Sequence, residues 1–506
     1  FRQAGFDVIW AVDNWQPAVT THQKNHPEFI TILDDVERIS RLPDNEFHVI
    51  VPDSEIIIGS PPCVDFSNSN RSGKADKSHG IKLIKSFLRI VARKKYQKDS
   101  VLKYWILENV ANAKLHVQEV YSAQDLDLDD EFDLKTLFGS SHIYRAQYFG
   151  VPSKRVRFLC GEFPEPKIII ESDEYLICLN DVLNGLKTPK DTTAEYTTDP
   201  NYDFEIQSSD LTDHHYIQQL ARFEWEKAKR LKQDKGFMGK MAFPEDVDQP
   251  ARTIMATMSF SARESMIYGY GNSKYRAPTI REIASLMSFP IDYRFYGNSI
   301  SLKYKLVGNS VPPKMSYAFA KAIAEEEKLQ LPKKYHPREF LQDDVDFTNL
   351  NWQVVPLKKE TPKREAAKFK YHIPYLKEKT LRVELTNRHS KFESQKFVWD
   401  VEIHKSQGPN ADFFTPQTTT NWIPSDYKKD AQKFITEFSN KVRDPKKFQK
   451  IYCQTSGYRK TNDLIGPMEL LFATRIFIDS LSLNGDKGVK IRVKRSLTYS
   501  IFFRTL

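Results

Sequence analysis

Over the first 160 residues, short apolar runs alternate with helical patterns, the rhythm of a doubly wound α/β sheet. Phe6-Asp-Val-Ile-Trp-Ala-Val12 reads as a strand ending at Asp13, and Gln16 to His26 as the helix that follows. Ile56-Ile-Ile58 is a buried strand. Ile81, Ile84, Phe87, Leu88 and Val91 recur at helical spacing, which predicts a helix over Gly80 to Lys95 covering one face of the sheet. Tyr104 to Leu107 and Val156 to Cys160 return to strand. From about Pro164 to Lys274 the periodicity weakens and polar, acidic and aromatic residues mix, as in an insertion; Lys314 to Lys328 is again helical. Beyond a Leu-Pro-Lys-Lys linker, helical pattern at Tyr427 to Val442 and Pro467 to Leu481 mixes with strand pattern at Thr380 to Leu385, Phe397 to Ile403 and Val489 to Phe503. That mixture predicts an α+β domain.

At 506 residues the chain exceeds one core and predicts two or three domains. With 40% hydrophobic and 28% charged residues, wholesale disorder is excluded. No apolar run approaches the roughly 18 residues of a membrane span, and no secretory leader opens the chain, so the expected place is the cytoplasm, without a membrane partner. Cys63, Cys160, Cys178 and Cys453 stand far apart without Cys-x-x-Cys spacing, which argues against disulfides or a zinc cluster; no metal is expected. The net charge of +9 is uneven: residues 331–506 hold 33 Lys and Arg against 20 Asp and Glu, while residues 1–330 hold 42 against 46. A concentrated positive field suits a polyanion.

Candidate chemistry begins at Gly59-Ser-Pro-Pro-Cys-Val-Asp-Phe-Ser67, which puts Cys63 in a turn directly after an apolar strand. A lone Pro-Cys proves little, because most such thiols are inert. Three further segments follow in order: Glu108-Asn-Val110 after a strand, Tyr148-Phe-Gly-Val-Pro-Ser-Lys-Arg-Val-Arg157, and Gly308-Asn-Ser-Val-Pro-Pro313. Strand alternation puts Arg155 and Arg157 on one side. Glu108 by itself reads as a strand-end acid that caps a helix or pairs with arginine. In the last third, Glu384, Asp400, Glu402 and Lys405 lack the spacing of a metal-dependent nuclease and read as solvated.

Taken in order, the four segments resemble the DNA (cytosine-5) methyltransferases over residues 1–328. The resemblance implies a Rossmann-like catalytic domain at 1–163, an inserted target-recognition region at 164–274, a return segment at 275–328 and an extra basic domain at 329–506. Pro278-Thr-Ile-Arg-Glu282 and Met287-Ser-Phe-Pro290 match the second boundary. It also implies S-adenosyl-L-methionine as methyl donor and a Cys63 thiolate that adds to C6 of a flipped cytosine. Glu108 would then meet the N3 and amine edge, while Arg155 and Arg157 grip the base or a phosphate. Asp13, Asn14, Asp35, Val36, Pro62, Asn309 and Ser310 fall at cofactor-side positions, although Asp34-Asp35 reads equally as a turn. The expected partner is double-stranded DNA, bound by a monomer in a restriction-modification system with a companion endonuclease. The family's opening strand and Phe-x-Gly-x-Gly loop have no counterpart here; Phe1-Arg-Gln-Ala-Gly-Phe6 matches the helix just after that loop, so the expectation is a truncated N-terminus. Val64 stands where the family often has glutamine. A catalytically inactive DNA-binding pseudo-methyltransferase and an RNA cytosine methyltransferase are the competing readings.

Overall fold

The structure, a computed structural model, describes residues 1–62, 66, 76–191, 193–233, 240–257, 259–338, 353–372, 381–405, 412–414 and 428–482. It divides into two compact units, Phe1–Leu220 with Phe243–Leu357, and Ala221–Ala242 with Lys358–Leu506.

In the first unit β1 (Trp10–Asp13) leads through α1 (Gln16–Asn25) to β2 (Ile30–Leu33), its parallel neighbour. Short helices α2 (Val36–Ser40) and α3 (Asp44–Ile50) follow. β3 (Ile56–Gly59) then leads through α4 (Ser78–Tyr96) to β4 (Tyr104–Asn109), also in parallel. After a hairpin of β5 (Val120–Ser122) and β6 (Asp133–Lys135), β7 (His142–Arg145) and β8 (Val156–Glu162) complete a sheet of order β3-β4-β8-β7, antiparallel from β4 onward. The single doubly wound sheet expected from sequence therefore appears as two ladders: among the described residues, β1-β2 is not hydrogen-bonded to the four-stranded sheet.

Packing explains the elements. β4 is buried from Trp105 to Asn109, and its apolar run Trp105-Ile-Leu107 is that of a strand covered on both faces. α4 turns Ile84, Phe87, Leu88 and Val91 into the core with Trp105, Leu107, Phe158 and Cys160. Full burial of a side chain of that size contributes about 1.5–3 kcal/mol. Met315, Phe319 and Ile323 of α9 (Pro313–Glu326) pack with Ile106, Phe149 and Leu159.

The stretch after β8 carries α5 (Leu179–Leu186), a hairpin of β9 (Tyr196–Thr198) and β10 (Glu205–Gln207), and β11 (Tyr216–Gln218). After α6 (Arg222–Gln233), which folds with the second unit, come the hairpin of β12 (Tyr268–Gly269) and β13 (Tyr275–Arg276), then α7 (Ile280–Leu286) and α8 (Ile300–Asn309). Thr279 and Glu282 form a capping box that starts α7. Leu179, Val182, Ile254, Ile283, Leu286 and Val307 share a further core.

The boundaries differ from those expected. β14 (Gln353–Val355) pairs in parallel with β11, so the chain through Leu357 stays with the first unit instead of leaving it at 329. Conversely Ala221–Ala242, expected inside the recognition region, belongs to the second unit, where Arg230 of α6 lies 5.3 Å from the Tyr371 ring.

The second unit builds an antiparallel sheet from β15 (Lys370–His372), β16 (Leu381–Thr386), β17 (Asp400–Lys405) and β18 (Asp412–Phe414). Helices α10 (Lys428–Val442), α11 (Pro445–Cys453), α12 (Ser456–Thr461) and α13 (Pro467–Ser482) follow. Its core joins Phe369, Leu385 and Val401 to Phe434, Phe438, Phe448 and Leu470. The expected strand from Val489 to Phe503 lies outside the described residues. Among the described residues, no helix is long and apolar enough to cross a membrane.

Candidate active site

β4 delivers Glu108 and Asn109 to the end of the four-stranded sheet. Glu108 stands opposite Leu159 of β8, so Arg157, two residues along, is its diagonal neighbour on the same face. Arg157 Nε lies 2.7 Å from Glu108 Oε1, with both side chains about nine-tenths buried. Ser60 donates its hydroxyl to the other carboxylate oxygen. The acid is thus held from both sides, one oxygen by Arg157 and the other by Ser60.

Cys63 and its neighbours Val64 and Asp65 lie outside the described residues, as does most of the Ser67 to Ser78 loop. The flanks are described. Asn109 Nδ2 donates to Pro61 O at 3.0 Å, and Asn112 Nδ2 donates to Phe66 O at 3.1 Å. Phe66 is 2% exposed and stacks on His116 with ring centres 5.1 Å apart. Both sides of position 63 are therefore tied to the turn that follows Glu108. Pro62 itself is exposed. Of the described cysteines, Cys160 is buried in β8 and its thiol is pushed up to about 12 by desolvation, so it stays protonated and inert at neutral pH.

Arg155 differs from Arg157. The alternation argument does not reach it, because β8 begins only at Val156. Its guanidinium donates to Ile254 O at 3.2 Å, Gly308 O at 3.2 Å and Ser310 O at 2.8 Å, while the residue is 2% exposed. It is a buried staple between the start of β8 and the Gly308-Asn-Ser-Val-Pro-Pro segment. Gly308 has to be glycine for the same joint: a Cβ there would lie 2.4 Å from Met255 O.

The cofactor-side residues fall at strand ends. Asp13 closes β1 and accepts from Trp15 N at 2.8 Å through Oδ1. Partial burial raises its pKa against the pull of the Trp15 and Asn14 amides. Asp35 follows the adjacent β2 and is the N-cap of α2, accepting from Glu37 N at 2.7 Å. Val36 packs partly into the cluster of Ile39, Phe47 and Val51, and Asn14 is exposed. Asn309 is exposed at the end of α8, and Ser310 caps that helix with its hydroxyl on Val307 O at 2.7 Å. Neighbouring parallel strands thus present Asp13 and the Asp35 loop at the same end, which fits the hydroxyl-rich ribose and flat base of a nucleoside. A cavity of about 680 Å³ in this unit is lined by His26, Ile58, Phe289 and Val311 among others, and by none of Asp13, Asp35, Glu108 or Arg157.

Sequence reasoning assigned no role to Ser60, Asn109 or Asn112. All three lie within or beside the quoted motifs, and the signal was their capacity to bond a neighbouring turn.

Comparison with known proteins places the chain in a family. The chain is 28% identical over 343 residues to type II methyltransferase M.NgoFVII of Neisseria gonorrhoeae, covering 64% of this chain and 82% of that one. It is 25% identical over 345 residues to M.MthTI of Methanothermobacter thermautotrophicus, covering 64% and 93%. A shorter match, 39% identical over 119 residues, relates it to M.HgiGI of Herpetosiphon aurantiacus, covering 23% and 82%. Residues 1–325 match the family described as C-5 cytosine-specific DNA methylase, and the chain belongs to that family of S-adenosylmethionine-dependent enzymes.

Proposed function

We propose that the chain methylates C5 of cytosine in a specific duplex DNA sequence, through a covalent Cys63–C6 adduct, as the modification enzyme of a type II restriction-modification system. The observation that carries this reading is the tie between Glu108 and the cysteine turn: Asn109 and Asn112 hold both flanks of position 63 against the turn that follows the acid. Carbon 5 of cytosine is a weak nucleophile, and thiolate addition at C6 gives the ring enamine character. Negative charge develops towards N3 as the bond forms, and Glu108, oriented by Arg157 and Ser60, would meet that edge in its protonated form and pass its proton to N3, taking it back when the adduct collapses. S-adenosylmethionine would supply the electrophilic methyl group, and Asp13, Asp35, Asn309 and Ser310 are the residues that would hold it. Transfer of the C5 proton to a water molecule then expels the Cys63 thiolate and restores aromaticity. Arg155 acts on this chemistry through position, by fixing the Gly308–Ser310 turn. The target must leave the duplex stack to be reached, and residues 164–220 and 243–274 supply the contacts that select the sequence. The type II assignment is supported by the names of the relatives.

Covalent trapping tests the reading. The protein is incubated with S-adenosylmethionine and mixed-sequence duplexes containing 5-fluorocytosine, which cannot lose its C5 substituent as a proton. A denaturation-resistant adduct that disappears in Cys63→Ser is expected. DNA binding without any adduct would replace the enzyme reading with binding alone.

A further inference from the structure

The carboxylates of the last third are not the solvated groups their spacing suggested. In the second unit Glu384 of β16 stands directly opposite Glu402 of β17, and His404 lies two residues further on the same face. Glu384 is 2% exposed, Glu402 0% and His404 3%. Two carboxylates at opposed positions in a dry sheet repel strongly unless positive charge joins them.

We propose that Glu384, Glu402 and His404 bind one divalent transition-metal ion. His404 Nε2 lies 2.9 Å from Glu402 Oε2 and 3.2 Å from Glu384 Oε2, and the three donor atoms all lie within 4.8 Å of one another. Ligand bonds near 2.1 Å place donors around one ion roughly 3–3.5 Å apart, so little movement is needed to enclose it. The surroundings orient the donors as well. Arg388 Nε and His389 Nε2 each approach Glu402 Oε1 at 2.8 Å, which fixes that carboxylate with Oε2 turned to His404 and Glu384. Lys370, half exposed and 3.4 Å from Glu384 Oε2, is a cation that an ion would displace. Two carboxylates and an imidazole favour Mn2+ or Zn2+ over Ca2+, and three protein donors leave coordination positions for water or a substrate oxygen.

Titration of the full chain, stripped with a chelator, with Mn2+ tests the proposal; Mn2+ prefers oxygen and imidazole donors over the chain's thiols. Electron paramagnetic resonance of free Mn2+ gives the stoichiometry, and the pulsed experiment reads nitrogen coupling from a bound imidazole without any substitution. One tightly bound ion with 14N coupling is expected, weakened at least tenfold in His404→Gln and retained in Lys370→Gln. Absence of saturable binding to the unaltered protein, absence of nitrogen coupling, or unchanged affinity in a folded His404→Gln would each show that ion pairs alone balance these charges. If His404→Gln does not fold, the stoichiometry and coupling of the unaltered chain decide.

Discussion

Among the described residues of the first unit, the buried pairs Glu282–Arg276 and Glu108–Arg157 differ in their surroundings. Glu282 is 0% exposed, and Arg276 grips it in bidentate fashion at 2.7 and 2.8 Å. Its Oε2 also accepts from Thr279 N at 2.8 Å as part of the α7 cap. Every feature of that pair serves the fold. Burial alone would raise the Glu282 pKa, and Arg276 with the cap holds it below the usual range. Glu108 meets one guanidinium nitrogen and one hydroxyl, keeps 7% exposure, and lies one residue from the end of its strand, next to Asn109, which bonds Pro61. A buried ion pair is therefore no mark of chemistry by itself. What separates the two is whether the carboxylate is enclosed by its own backbone or presented at the end of a sheet.

The largest effect that would break this contrast is on turnover. Glu108→Gln is expected to slow single-turnover methyl transfer about 10²–10⁴-fold, the range of a lost acid–base group, and, because Arg157 touches it through one nitrogen only, to lower the melting temperature less than Glu282→Gln does. A variant of parental activity would remove Glu108 from the chemistry. Next in size, Glu282→Gln leaves Arg276 with half its partner; denaturant unfolding should show a loss of about 3–5 kcal/mol with near-normal turnover at low temperature. If turnover fell and stability held, the two roles would have to be exchanged.

The smallest effect sharpens the structural side of the contrast through pH. His214 bonds Thr279 Oγ1 through Nδ1 at 3.2 Å and Leu186 O through Nε2 at 3.1 Å, and burial lowers its pKa to about 4. The folded state thus favours the neutral ring. The stability this contributes is fully present above the ordinary histidine value near 6.5 and is lost as pH falls towards about 4, up to about 3 kcal/mol. Asp199, raised to about 6 by burial, works in the opposite direction, so the useful quantity is a difference between two proteins. The melting advantage of the parent over His214→Gln should shrink between pH 7 and pH 4. Parallel curves would show that the ring is not held neutral.

Glu108 was legible because its identity travels with Asn109 and Val110, and because the order of four motifs is a linear property. Glu384 and Glu402 were misread for the opposite reason: 17 residues separate them in the chain, and only the β16–β17 register makes them face each other. The same limit explains the domain boundaries. Arg222–Gln233 shows an amphipathic helix, but nothing in its own pattern names the sheet it packs with, and β14 gains its place in the first unit only by pairing with β11. Arg155 shows the reverse error, in which a valid rule of alternation was carried one residue past the start of the strand.

The two asparagine ties have an entropic meaning. Asn109 and Asn112 lie three positions apart, and they hold Pro61 and Phe66, which are themselves five positions apart. The ends of the short span that carries Cys63 are thus brought together when the protein folds. Closing such a loop costs conformational freedom once, on folding, and the cost is not repeated with each DNA molecule. Pro61 and Phe66 are thus held by bonds that folding itself supplies, and no later binding event has to form them.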